Sequence, residues 1–316
     1  MTTRHVIRAA LQPILGSMFQ PTGFPDVGAA TFTRFDGETK VPSLLVESVQ
    51  SMANRLEATA WDEAADVPVE AVRGLPYVRV LRAGSAEFLT SSRLEAHRLA
   101  SPYVHEATRN GESMFEEIGK RLGLAKDTPL NRQRMAAAVA RLDPFCLVHG
   151  AFFSHKKWPG QPKFLRAVSG VIEAHEVEPA ISGGRKSDRV RHKNEEDGGG
   201  AAEGYGSVPF HRTEWTAKTI QASFVVDVEL LHSYGLPQPV PELLETLALW
   251  EIRSLLDGGM RLRTACDLKL KGEPSDDLPA KKVLDERLAD LIPKARDLFG
   301  DGEPLIVEYS FAGKKA

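Results

Sequence analysis

From Gly28 to Phe35 the chain alternates, with Ala30, Phe32 and Arg34 on one phase and Thr31, Thr33 and Phe35 on the other, the spacing of a strand. Asp36-Gly37 is a turn signal. Leu45, Val49, Met52 and Leu56 then recur at helical intervals, which predicts an amphipathic helix from about Leu44 to Ala60. Its other side carries Ser48, Ser51 and Arg55 on one stripe, with Gln50 and Asn54 beside it. Several of these are poor helix formers, so something other than helix propensity selects them. From Asp62 to about Leu142 the pattern is irregular and broken by prolines, an insertion with short helices over Gly111–Leu122 and Asn131–Arg141. The apolar run Phe145–Phe153 predicts a buried strand, while Phe164–Val177 fits a helix or a strand equally.

Ser182–Gly206 is rich in glycine and charge, has no periodicity, and reads as a long mobile loop or hairpin projecting from the body. Beyond it, Ile220 to Leu230 alternates as a half-buried strand, and Pro241 opens a helix that Gly258-Gly259 closes. Leu262 to Leu270 alternates with Arg261, Arg263, Asp267, Lys269 and Lys271, giving a strand with one apolar and one mostly cationic face. A last strand spans Leu305–Phe311. With insertions set aside, the order is strand, helix, strand, twice over. That is the split β-α-β pattern of an α+β, ferredoxin-like fold shared with RNA-recognition domains.

Composition changes this picture little: hydrophobic residues are 42%, charged residues 26%, and the net charge is −3. The distribution is more informative. Arg185, Lys186, Arg189, Arg191, His192 and Lys193 crowd one stretch and Arg261, Arg263, Lys269 and Lys271 another, while acidic residues gather around Trp61–Glu70 and Asp276–Asp290. One anionic partner and separate protein-facing surfaces would fit such asymmetry; solvated loops would fit any single cluster better. Cys146 and Cys266 lie far apart and imply neither a disulfide framework nor a zinc knuckle. No apolar run is long enough for a bilayer and Met1–Leu15 lacks a signal peptide's stretch, so a cytoplasmic protein without membrane contact is expected. GxxxxGK[ST], HExxH, CxxC and GxSxG motifs are missing, and neither cofactor nor metal is expected.

Five runs carry a resemblance: PTGFPDVGAATF (Pro21–Phe32), LLVESVQSMANRLE (Leu44–Glu57), HRLASPYV (His97–Val104), EGYGSVPFHRTEWTA (Glu203–Ala217) and LDGGMRLRTACDL (Leu256–Leu268). In this order they resemble the crRNA-binding backbone subunit of type I-G (formerly I-U) CRISPR Cascade complexes, within the RAMP superfamily of modified RNA-recognition folds. The resemblance implies one RRM-like palm domain over residues 1–316, with a fingers insertion at 62–142 and a thumb at 182–215. It also implies copies of the subunit polymerised along a guide RNA, partnered by other CRISPR subunits. The exposed bases pair with a target DNA strand, and a separate nuclease cuts.

On that resemblance, Ser48, Gln50, Ser51, Asn54 and Arg55 become contacts to phosphate and 2′-hydroxyl groups, although spacing alone favours a solvated polar face. Gly258 and Gly259 let an RNA backbone approach Arg261 and Arg263, which by themselves fit a charged outer strand face equally well. Arg98, His211 and Arg212 lie in matched runs and join the RNA contacts, as do Arg185, Lys186, Arg189 and Arg191 of the thumb. Tyr205, Val208 and Phe210 are the expected wedge against a displaced base; packing at the thumb's root suits Phe210 equally and Trp215 better.

The strongest rival is a RAMP-type endoribonuclease acting on guide or target RNA, with His97, His149 or His211 as acid–base group or Asp26 as a loop aspartate. Each histidine is better read as a structural or phosphate contact, and Asp26 as a turn residue, so no catalytic residue is expected. A scaffold that binds only protein fits the acidic stretches but leaves the cationic strand unexplained.

Overall fold

The computed structural model describes residues 3–24, 28–187, 207–275 and 278–311. An antiparallel sheet of seven strands forms the centre: β1 (Arg4–Pro13), β2 (Thr31–Asp36), β3 (Thr39–Glu47), β4 (Val168–Ser187), β5 (Ser207–Asp227), β6 (Met260–Arg263) and β7 (Cys266–Leu270), in the spatial order β6-β7-β1-β5-β4-β3-β2. The chain is thus an α+β protein. Strand β1, which the sequence pattern did not reveal, lies between β5 (Ile7 opposite Phe224) and β7 (Leu11 opposite Leu270). Ile7, Ala9 and Leu11 point into the core and Val6, Arg8 and Ala10 away from it. Apolar residues on both phases blur the period of two.

Two helices cover the inner face of the sheet. Helix α1 (Val49–Ala58) packs on β4, and α4 (Val240–Gly258) touches α1, β5 and β7. The predicted helix start at Leu44 is too early. Leu44 to Glu47 complete β3, and Ser48 caps the helix by accepting a hydrogen bond at Oγ from the Ser51 amide, 3.3 Å. The sheet meets α1 closely at Gly170, where a Cβ would come within 2.5 Å of the Phe224 ring and 2.7 Å of Met52 Cγ, so only glycine fits. Helix α4 is buried on nearly every side, including Thr246 and Glu251, because α5 (Lys281–Lys294) covers its outer face.

Helices α2 (Met114–Leu122) and α3 (Arg132–Leu142) match the two expected in the insertion. Four other expectations change. Phe145–Phe153 is buried except for Phe152, but Phe145–Val148 is a helical turn and only Ala151–Phe152 pairs as strand. Asp143 accepts the Phe145 amide at 3.1 Å and starts that turn; an apolar run does not tell a buried helix from a buried strand. Strand β5 ends at Asp227 rather than Leu230, since Asp227 Oδ1 accepts the Leu230 amide at 2.9 Å and caps the helix Val228–Ser233. The segment 262–270 is not one strand but the end of β6 and β7, with Arg263 opposite Cys266 across a turn. Lastly, Leu305–Tyr309 pairs in parallel with Val78–Arg82 inside a separate five-stranded sheet. The expected insertion at 62–142 therefore closes only with the C-terminal strand.

β4 and β5 form one long hairpin whose ladder continues to Ser187 opposite Ser207. Residues 182–187, expected to begin a long mobile loop or hairpin, are paired backbone, as a hairpin requires. The hairpin's root is pinned where Phe19 and Trp215 exchange backbone hydrogen bonds of 2.9 Å. No described helix is long and apolar enough to cross a membrane, and Cys146 and Cys266 are buried free thiols.

Candidate nucleic-acid interface

Helix α1 buries Met52, Ala53, Leu56 and Glu57, which turns Gln50, Asn54 and Ala58 outward at intervals of four residues. Ser48, Ser51 and Arg55 are half-buried, so the outermost stripe is the Gln50–Asn54 one rather than the Ser48–Ser51–Arg55 one. It offers amide donors and acceptors without charge over roughly 12 Å of helix.

Just before α1, at the end of β3, Glu47 is buried and holds two arginines. Its Oε2 accepts from Arg55 Nε at 3.1 Å and from Arg263 Nη2 at 3.0 Å. Arg55 Nη2 donates to the Leu262 carbonyl at 2.7 Å, and Arg263 Nη1 and Nη2 donate to those of Gln20 (2.9 Å) and Val46 (3.1 Å). The two guanidiniums lock β3, α1 and β6 together. The expectation that Arg55 on the helix and Arg263 on the strand contact RNA changes in this respect, because Arg55 donates inward through Nε and Nη2 and Arg263 through Nη1 and Nη2. Their two charges against one carboxylate still leave the corner net positive.

Next to this corner is a depression of about 590 Å³. It brings together Arg55, Gly258, Gly259 and Arg261, four of the residues singled out from sequence, and the α1 stripe runs into it at Ala58. A Cβ on Gly258 or Gly259 would meet nothing within 4 Å, and Gly259 has φ +83°, so these glycines leave the mouth open and permit the turn into β6. Arg261 is exposed. The wall also holds Ser254, whose Oγ is buried with no partner among the described residues, and Lys281, which pairs with Asp285 at 3.0 Å and lies 4.8 Å from the Trp250 ring centroid. Sequence reasoning missed both. Leu284, Leu288, Leu291 and Ile292 recur at helical spacing and could have revealed α5, which delivers Lys281.

Arg98 is not a surface contact. It is buried, with Nε and Nη2 on the Glu57 carboxylate at 2.5 and 2.6 Å and Nη1 on the Gly150 carbonyl at 3.0 Å. His149 is equally closed off: its Nε2 lies 2.9 Å from both oxygens of Glu251, and both side chains are fully buried. Desolvation pushes His149 down to about 3 and raises the Glu251 carboxyl well above its ordinary value, which places the shared proton on Glu251. His149 has no path to an RNA hydroxyl, whereas His97 is exposed.

In the hairpin, the backbones of Arg185 and Lys186 pair with those of Pro209 and Val208, and Gly184 and Gly183 with those of Phe210 and His211. The side chains of these six non-glycine residues, and all of Asp26, Arg189, Arg191 and Tyr205, lie outside the described residues. Arg212 is exposed and 3.7 Å from Glu214.

Residues 6–179 match the family model described as CRISPR-associated protein GSU0053. No curated protein matches the sequence. Among solved structures, the chain is similar to one in a CRISPR RNA-guided surveillance complex, pre-nicking, at 12% identity and TM-score 0.36, covering 79% of this chain and 68% of that one. It is also similar to Csc2 of Thermofilum pendens, at 10% identity and TM-score 0.33, covering 94% and 77%.

Proposed function

We propose, on the premise that this chain belongs to the CRISPR-associated protein GSU0053 family, that it is a non-catalytic backbone subunit of a CRISPR surveillance complex, of the type I-G class its sequence runs resemble. In this reading copies assemble along the spacer of a guide RNA, grip it without sequence preference, and leave its bases open to a target DNA strand.

The carrying observation is the junction of the α1 stripe with the glycine-lined depression. Gln50 and Asn54 offer hydrogen bonds to groups that every nucleotide has, and Gly258-Gly259 let a backbone come close to Arg261 and the net-positive Arg55–Glu47–Arg263 corner. Contacts of this kind position a strand and carry no base information. A guide carrier needs that, because base pairing reads the target.

The architecture supports the same reading. β1, α1, β4, β5, α4 and β7 follow in the order of a doubled β-α-β unit, and their strands lie as β7-β1-β5-β4 with both helices on one face. This is the arrangement expected of a ferredoxin-like palm. Val78–Arg82 and its neighbours then form the fingers, and the part of the β4–β5 hairpin that falls within 182–215 belongs to the thumb.

Titration with unrelated single-stranded RNAs of equal length tests the grip. Affinities should agree between sequences and fall steeply with salt. Strong preference for one base sequence at constant salt would contradict it, and specific cleavage of the RNA would return the nuclease reading.

A further inference from the structure

From Pro144 to Ile172 the chain contains no Asp or Glu, yet it carries Lys156, Lys157, Lys163 and Arg166. The structure folds the middle of this stretch into a small hairpin, in which Ala151–Phe152 pairs with Lys163–Phe164 and Phe152 sits directly opposite Lys163. The two aromatic neighbours on these strands, Phe153 and Phe164, are buried, whereas Phe152 is 49% exposed. Lys163 Nζ lies 5.8 Å from the Phe152 ring centroid. Phe152 and Lys163 line a depression of about 490 Å³ together with exposed His97 and Leu165, half-buried Arg166, and Ser154. Arg166 Nη1 donates to the Val49 carbonyl at 3.1 Å, which ties the floor of this depression to the first turn of α1, one residue from Gln50.

An exposed aromatic ring beside cations that have no carboxylate partner among the described residues, on a segment free of acidic groups, is the chemistry of a stacking platform for an unpaired nucleotide. The ring takes the face of any base, while the ammonium and guanidinium groups take the flanking phosphates. We propose that Phe152 stacks against a base of single-stranded RNA whose phosphates are held by Lys163 and Arg166, extending the α1 surface beyond its N-terminal end. The inference rests on the RNA-carrying reading above and adds a contact to it. A protein partner is the competing occupant. The even spread of cations favours a polyanion, because an apolar protein groove would not need Lys156, Lys157 and Lys163 on one hairpin.

The test uses the full chain with single-stranded RNA carrying 2-aminopurine at successive positions, and compares wild type with Phe152→Leu, Phe152→Trp and Lys163→Ala. Phe152→Leu keeps the side chain apolar and removes the ring, and since the site is on the surface the fold should survive. Wild type should quench 2-aminopurine and Phe152→Trp should preserve the quench. Phe152→Leu should abolish it and weaken binding on the order of tenfold. Lys163→Ala should weaken binding and flatten its salt dependence. Unchanged quench and affinity in Phe152→Leu would overturn the platform while leaving the wider RNA reading intact; absence of RNA binding by wild type would overturn both. Normal RNA binding by Phe152→Leu with loss of association with other complex subunits would make the hairpin a protein-docking surface instead, and would equally overturn the proposal.

Discussion

Arg98 and Glu57 form a two-point ion pair inside the protein, with Nε and Nη2 on the two carboxylate oxygens at 2.5 and 2.6 Å. It joins α1 to a turn of the segment inserted after it. Glu57 sits on the buried side of the helix whose other side carries Gln50 and Asn54, so the pair helps set how that surface is presented. Both side chains are less than one-tenth exposed, and removing one partner strands the other's charge. Arg98→Ala should therefore lower unfolding stability by about 3–5 kcal/mol, and the double change Arg98→Met with Glu57→Gln by clearly less. Urea unfolding checks this; a harmless Arg98→Ala would contradict the burial.

The His149–Glu251 pair makes a pH prediction. With His149 at about 3 in the folded chain and near 6.5 unfolded, the unfolded state binds the extra proton between those values, and stability falls as pH drops through that window. Glu251 has the opposite sign. Its raised native value means that stability falls as pH rises above about 4.5, the usual unfolded range. From about 4.5 to 6.5 the two effects cancel, since each state holds one proton on the pair. Glu251→Gln retains the His149 effect and removes the other. Its stability relative to wild type should be constant below pH ~4.5 and improve above it, by at most about 1.4 kcal/mol per pH unit. A difference that ignores pH would show that Glu251 is ionised in the fold.

Gly258 separates the fold from the surface it borders. A Cβ there meets nothing within 4 Å. Gly258→Ala should leave stability nearly unchanged and weaken RNA binding only slightly, since its Cβ narrows the mouth without adding charge. Gly258→Asp should cost little stability, about 0.3–1 kcal/mol for an acid at a helix C-terminus, yet weaken RNA binding several-fold by placing a carboxylate at the mouth of the depression. Equal RNA affinity for the two variants would remove the depression from the interface.

Arg261 and Arg263 are two residues apart and should behave differently. Arg261 is exposed, so Arg261→Ala should change stability by no more than about 0.5 kcal/mol while lowering RNA affinity and the salt slope by about one phosphate contact. Arg263 donates to Gln20, Val46 and Glu47, and Arg263→Ala should cost about 1–3 kcal/mol of stability. Parallel thermal melts and salt titrations distinguish the two.

Helix α4 was marked at both ends by Pro241 and Gly259, and β5 was legible because one face is buried and the other wet, while β4 stayed open between helix and strand and β3 was not legible. Nor was β1, because Val6 and Ala10 put apolar groups on its solvent side. For the site, residue types were informative and partners were not. Arg55, Arg98, Arg261 and Arg263 look alike in sequence, and only the fold shows Glu47 and Glu57 holding three of them while Arg261 remains outside. Phe152 was concealed within the apolar run 145–153, where nothing local distinguishes an exposed ring from the buried Phe145 and Phe153.

In the proposed function this chain carries a guide RNA within an assembly. Coexpression with its guide and the other subunits, followed by size-exclusion chromatography with absorbance at 260 and 280 nm, tests it most directly. A guide-carrying subunit should elute in a large particle containing more than one copy of the chain, with a nucleic-acid-like absorbance ratio and guide RNA intact along the spacer. A chain that elutes alone with a protein-like ratio while the other subunits retain the guide would contradict it.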